Sequence, residues 1–217
     1  MTNFTFAAKA VRGAACLALL AMAVAYPASA AETVTAAAFD PLTLPVALPD
    51  IVEGSPAAKV TIVEYASVTC THCAAFHAET WPSLKQRYVD TGRVKFILRE
   101  FPLDPLSAAG FMLARCAGSE KRDGLIDVMF EQQKSWAFVP KPGEQLLALV
   151  KQQGMSQTDF ETCLRDQALF DSLNKSRELA AARLDISSTP TFFVNGQKMT
   201  GDVPIGEFDK VLTPLLK

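Results

Sequence analysis

Cys70-Thr71-His72-Cys73 restricts the folding of this chain more than any other stretch. It follows Val60-Thr61-Ile62-Val63-Glu64-Tyr65-Ala66, an apolar and β-branched run that predicts a buried strand. Behind it comes Ala74-Ala75-Phe76-His77-Ala78-Glu79, the expected opening of a helix. A cysteine at such a junction lies at a helix N-terminus, where unpaired N–H groups and the positive dipole end stabilise a thiolate. A second cysteine one turn further in is close enough to close a small disulfide ring. Two cysteines so placed predict a redox-active pair.

The same spacing has other uses. It can form half of a structural zinc site, with His77 as a third ligand, although Cys116 and Cys163 are isolated and no second close pair completes the set. It can also be a plain structural disulfide, since exported chains use these freely. The strand before and the helix after favour thiol–disulfide exchange, without metal or cofactor.

Lys9 and Arg12 open the chain, an apolar run from Ala14 to Ala25 follows, and Ala28-Ser29-Ala30 closes it. This is the pattern of a secretory signal peptide, read as residues 1–30 with cleavage near Ala30. The apolar run is too short to span a bilayer, and Cys16 leaves with it. Loss of Lys9 and Arg12 takes the formal charge from −2 to −4. That leaves no basic patch for nucleic acid or anionic lipid. What remains, roughly 185 residues, suits one domain or one domain with an insertion.

Four cysteines survive: Cys70, Cys73, Cys116 and Cys163. If the first two pair, the others are left to pair with each other or to stay as two buried thiols.

Residues 31–50 hold Pro41, Pro45 and Pro49, which oppose a regular element, so a tether or loosely docked arm is expected. Over 51–104 the pattern predicts a strand from Lys59 to Ala66, a motif helix from Cys70 to about Asp90 interrupted at Pro82, and a parallel strand from Arg93 to Arg99. Over 105–185 apolar residues recur at helical spacing, in Ala108-Phe111-Met112, Leu125-Val128-Met129 and Leu146-Leu149-Val150. Further helices are expected from Ser156 to Arg165 and from Leu169 to Leu184. With Gly118, Gly124, Pro140 to Gly143 and Gly154 as separators, this makes an insertion of four or five helices, Cys116 and Cys163 falling on different ones. Over 186–217, Asn195-Gly196 joins Thr191–Val194 to Gln197–Thr200 as a hairpin, and a helix from Ile205 to about Leu215 closes the chain.

Glu64 is a carboxylate in an apolar strand and needs a partner or a task. It either carries protons to and from Cys73 through water, or pairs with a group such as Lys95 or Arg99, or lies at the strand edge. His72 either stabilises the Cys70 thiolate or stands exposed with little effect. His77 reads as a helix-surface or groove residue. Phe76, Trp81, Phe192 and Phe193 read as core, and Trp136 and Phe138 as walls of a peptide groove.

In that order, the strand with Glu64, Cys70-Thr71-His72-Cys73, the helical insertion, Thr189-Pro190, the hairpin and the final helix resemble the DsbA family of periplasmic thiol oxidases. The chain keeps the histidine of the family's Cys-Pro-His-Cys but has Thr71 for proline. Thr189 stands where many oxidases have valine and where disulfide isomerases have threonine. The resemblance implies an α/β thioredoxin fold with an inserted helical domain, and a cis bond at Thr189-Pro190 whose preceding residue meets extended substrate. It implies a monomer in the periplasm that oxidises reduced exported proteins through Cys70 and Cys73 and is reoxidised by a DsbB-like membrane quinone reductase. The pair Cys116/Cys163 is similar to one in some alphaproteobacterial relatives. The rival readings are an isomerase or reductase kept reduced by a membrane electron donor, and a non-catalytic periplasmic chaperone.

Overall fold

The computed structural model describes residues 40–217, so the signal segment and the start of the arm lie outside the described residues. Five strands are described: β1 (Ile51–Gly54), β2 (Val60–Ala66), β3 (Val94–Glu100), β4 (Thr191–Val194) and β5 (Gln197–Thr200). They form one sheet in the order β1-β3-β2-β4-β5. β2 and β3 run parallel, with Ile62 opposite Phe96 and Glu64 opposite Leu98. The other pairings are antiparallel. Every residue of β2 is buried, as its central place requires.

The sequence does not mark β1. It is four residues long, hydrogen-bonds to β3 alone, and buries only Ile51. It therefore carries no alternation from which to predict it.

The motif helix is divided. α1 (Thr71–Glu79) is followed by α2 (Trp81–Leu84), with Pro82 in its first turn, and by a π-helical turn over Lys85–Val89. The missing N–H of Pro82 is harmless in a first turn, and its ring stops a helix from running through.

The segment between β3 and β4 holds six helices rather than four or five: α3 (Pro105–Cys116), α4 (Ser119–Glu131), α5 (Gln133–Trp136), α6 (Pro142–Gln152), α7 (Gln157–Leu164) and α8 (Gln167–Leu184). Gly124 lies inside α4 and separates nothing; no atom comes within 4 Å of a Cβ built there, so the helix simply tolerates it. Gly110 of α3 has a stricter reason. A Cβ there would meet Val68 Cγ2 at 2.9 Å, so only glycine lets α3 approach the loop before the motif this closely. Cys116 of α3 and Cys163 of α7 are joined by a disulfide, with Cα atoms 6.1 Å apart. Closing a loop of 47 residues is worth up to about 4 kcal/mol in the chain-entropy view.

The sheet has a core on each side. One holds Ile62, Ala66, Phe76, Phe96, Phe192 and the apolar faces of α3 and α4. The other holds Val63, Tyr65, Ile97, Leu184, Ile186 and Phe193. The final helix, α9 (Ile205–Leu215), buries Phe208 and Leu212. Asn195 and Gly196 both take positive φ, 44° and 87°, as a two-residue turn between twisted strands requires.

The described part of the arm is docked rather than loose. Pro41–Thr43 makes a 3-10 turn capped by the Asp40 side chain, and Leu44 is buried in the second core. Arg99, itself buried, grips Asp50 with two hydrogen bonds of 2.7 and 3.0 Å and donates to the Pro41 carbonyl at 2.6 Å. No helix of the described residues is long and apolar enough to cross a membrane.

Candidate active site

β2 delivers the chain to the motif. Its side chains alternate, so Glu64 shares with Ile62 and Ala66 the face covered by α1, while Val63 and Tyr65 face the other core. The loop that follows is held from the helical segment. Ser67 and Ser107 hydroxyls lie 2.7 Å apart, and Thr69 donates to Asp104. Gln133, a buried residue of α5, donates its amide to the Val68 carbonyl at 2.8 Å and the Cys70 carbonyl at 3.0 Å. These bonds fix where the helix begins.

Cys70 is the N-cap of α1 with an extended backbone, and Cys73 lies one turn in. Both are reduced and buried, but Cys70 keeps 9% of its surface exposed and Cys73 none. Access therefore favours Cys70. Its Sγ lies 3.2 Å from the Thr189 carbonyl, to which the thiol donates. The Thr189-Pro190 bond is cis, and both residues are buried against the motif.

The two thiols are driven apart in acidity. A hydrogen bond from the Cys73 thiol is the main cause that lowers Cys70 to about 5; burial opposes it, and the backbone N–H groups of Cys73 and His72 assist. Burial pushes Cys73 well above its usual value, helped by its bond to Cys70 and by the charges of Glu64 and Cys70. His72 thus meets the sulfur through its backbone, and its side chain is exposed.

Glu64 is fully buried and pairs with neither Lys95 nor Arg99. Its Oε2 lies 3.1 Å from His77 Nε2. His77 is accordingly not a surface residue: its side chain is 7% exposed and stacks on Phe130, with ring centroids 4.1 Å apart. A sequence signal for this existed. His77 is four residues after Cys73, on the same helix face, and a buried carboxylate needs a partner. Gln133 had no such signal, because only the packing of α5 brings it to the motif.

Trp136 is buried and donates its indole N–H to the Met129 carbonyl, so it lines no groove; Phe138 is exposed. Among the described residues, no group of three or more His, Cys, Asp or Glu side chains is arranged to hold a metal ion.

Residues 47–213 match the family described as Thioredoxin, and the chain belongs to that family. It is 33% identical over 148 residues to a chain of Rickettsia bellii described as a protein-disulfide oxidoreductase, over 68% of this chain and 57% of that one. A Rickettsia conorii chain of like description is 33% identical over 157 residues, or 72% and 56% of the two chains. This chain thus spans just over half the length of those relatives. The crystal structure of alpha-DsbA1 from Wolbachia pipientis superposes with a TM-score of 0.73 at 31% identity, over 81% of this chain and 94% of that one. The chain is a DsbA-like member of the thioredoxin family.

Proposed function

We propose that this protein is a thiol:disulfide oxidoreductase that introduces disulfide bonds into exported proteins through Cys70 and Cys73. The observation that carries the reading is the opposed acidity of the two thiols, with Cys70 lowered to about 5 and Cys73 raised. A thiolate stabilised in the folded dithiol stabilises the reduced state, which makes the disulfide the more readily donated. The description of the Rickettsia chains and the name of the Wolbachia structure support the same chemistry.

In the proposed cycle a substrate thiolate attacks Cys70 in the Cys70–Cys73 disulfide. That bond breaks, its electron pair goes to Cys73, and Cys73 takes up a proton handled by Glu64. A second substrate thiolate then attacks the substrate sulfur of the mixed disulfide, and Cys70 leaves as a thiolate. The substrate gains a disulfide and the protein holds the two electrons. Thr189 and Pro190 border the sulfur where an extended substrate would lie. A quinone-linked membrane partner of the DsbB kind would take the electrons, the protein acting as a monomer in the periplasm after residues 1–30 export it.

The test mixes oxidised protein with a reduced, unfolded secretory protein. Loss of substrate thiols in step with reduction of Cys70–Cys73, abolished in Cys70→Ser, is the expected result. Binding of the unfolded protein without loss of its thiols, unchanged in Cys70→Ser, would mean a non-catalytic chaperone. Rearrangement of scrambled disulfides by the reduced protein, without net oxidation, would mean an isomerase.

A further inference from the structure

The thiol chemistry needs a proton to reach a buried sulfur, and Glu64, wholly buried, has no access of its own to water. What lies behind it is His77. Its Nε2 meets Glu64 Oε2 at 3.1 Å, while His77 Nδ1 and Glu64 Oε1 are both buried without a hydrogen-bond partner. Two such atoms left unpaired in the interior are an arrangement that needs a reason. Beyond His77 is a cavity of about 10 Å³, close to the least that holds one water molecule. Its wall includes His77, Glu53 of β1, and Asp123 and Asp127 of α4. Asp127 is an exposed residue.

The geometry points to His77 as the relay that connects Glu64 to solvent, passing protons between the cavity at Nδ1 and Glu64 at Nε2. This rests on the exchange reading above and adds a residue to it. An imidazole suits the place, because it can accept a proton at one nitrogen while releasing one from the other. When the Cys70–Cys73 bond breaks, the electron pair on Cys73 takes a proton from Glu64. Glu64 is resupplied from His77 Nε2, and His77 from Asp127 and water. In the reverse direction the same groups remove the proton from Cys73. Phe130 stacked on the ring holds it in line, so Phe130 is a positioning residue.

The charged groups facing His77 come from three elements. Glu64 approaches from β2, Glu53 from β1 and Asp123 and Asp127 from α4. Lys85 is tied to Glu53, and Arg122 to Asp123 at 2.8 Å. Burial pushes the Asp127 carboxyl above the usual carboxylate range and the His77 charge draws it back, which fits a carboxyl that exchanges protons with the ring.

His77→Gln keeps a side-chain donor for Glu64 but cannot relay a proton. Reduction of the Cys70–Cys73 disulfide by dithiothreitol is followed by stopped flow across neutral pH, in water and heavy water. The expected result is a loss of about tenfold or more near neutrality with a larger solvent isotope effect. The Cys70 thiolate titration, read by ultraviolet absorbance, should stay in place. An unchanged rate and isotope effect would overturn the relay while leaving the exchange reading intact. Loss of exchange in the unaltered protein would instead overturn that reading. A second measurement needs neither activity nor a variant: the ¹⁵N shifts of His77 are titrated in oxidised and phosphine-reduced protein. Different midpoints in the two states support the relay, and identical midpoints overturn it.

Discussion

Cys70 and Cys73 share one turn of helix and one loop, yet they face opposite demands. Cys70 keeps a slight exposure and collects hydrogen-bond donors, so it ionises easily. Cys73 is sealed in and faces the Glu64 carboxylate, so it holds its proton. The lowered Cys70 couples folding to pH in the reduced protein. Its folded value of about 5 lies below the unfolded thiol value near about 8.5, so the stabilisation is complete above the unfolded value and is lost as pH falls through the folded one. The urea midpoint of the reduced protein, relative to the oxidised, should therefore rise between about pH 5 and 8.5. A difference that stays flat over that range would mean Cys70 is not lowered. Cys70, Cys73 and Glu64 are legible as residues, because each is a chemical type in an unexpected or patterned place, and the Thr189-Pro190 pair is legible through the family resemblance. The partner of Glu64 is marked only by helical spacing, which points to His77.

β2, β3 and the β4–β5 hairpin were legible as elements, since their apolar runs and the Asn195-Gly196 turn are local signals. β1 and the docking of residues 40–50 were not, because β1 is held by pairing with β3 alone and the docked segment by Arg99, one residue far along the chain. Arg99 stands in β3 and binds Asp50, the Pro41 carbonyl and the Tyr65 hydroxyl together. Arg99→Met would leave Asp50 and the carbonyl without their donor. Asp50 keeps a quarter of its side-chain surface in water, which softens the loss. The expected cost is about 2–3 kcal/mol in urea unfolding, with faster hydrogen exchange confined to residues 40–50. A cost below about 0.5 kcal/mol would show that other contacts hold the segment.

At the scale of the molecule, a central strand, a helix N-terminus, a buried proline loop and a helical segment converge on one sulfur. The helical segment is more than a cover. Gln133 fixes the carbonyls of the motif loop, Phe130 stacks on the ring of His77, and Gly110 lets α3 lie under Val68. The Cys116–Cys163 disulfide ties α3 to α7 within that segment. None of these joints is written in local periodicity, which is why the insertion was readable as helical and its grip on the motif was not. The proposed exchange rests on a reduced state in which Cys70 is a stable thiolate. The reduction potential of the Cys70–Cys73 pair, equilibrated against glutathione with the Cys70 titration measured in the same preparation, tests this most directly. A value above about −220 mV, with Cys70 ionising near pH 5, is expected of a disulfide donor. A value near about −270 mV, that of thioredoxin, would contradict it and make the protein a reductant.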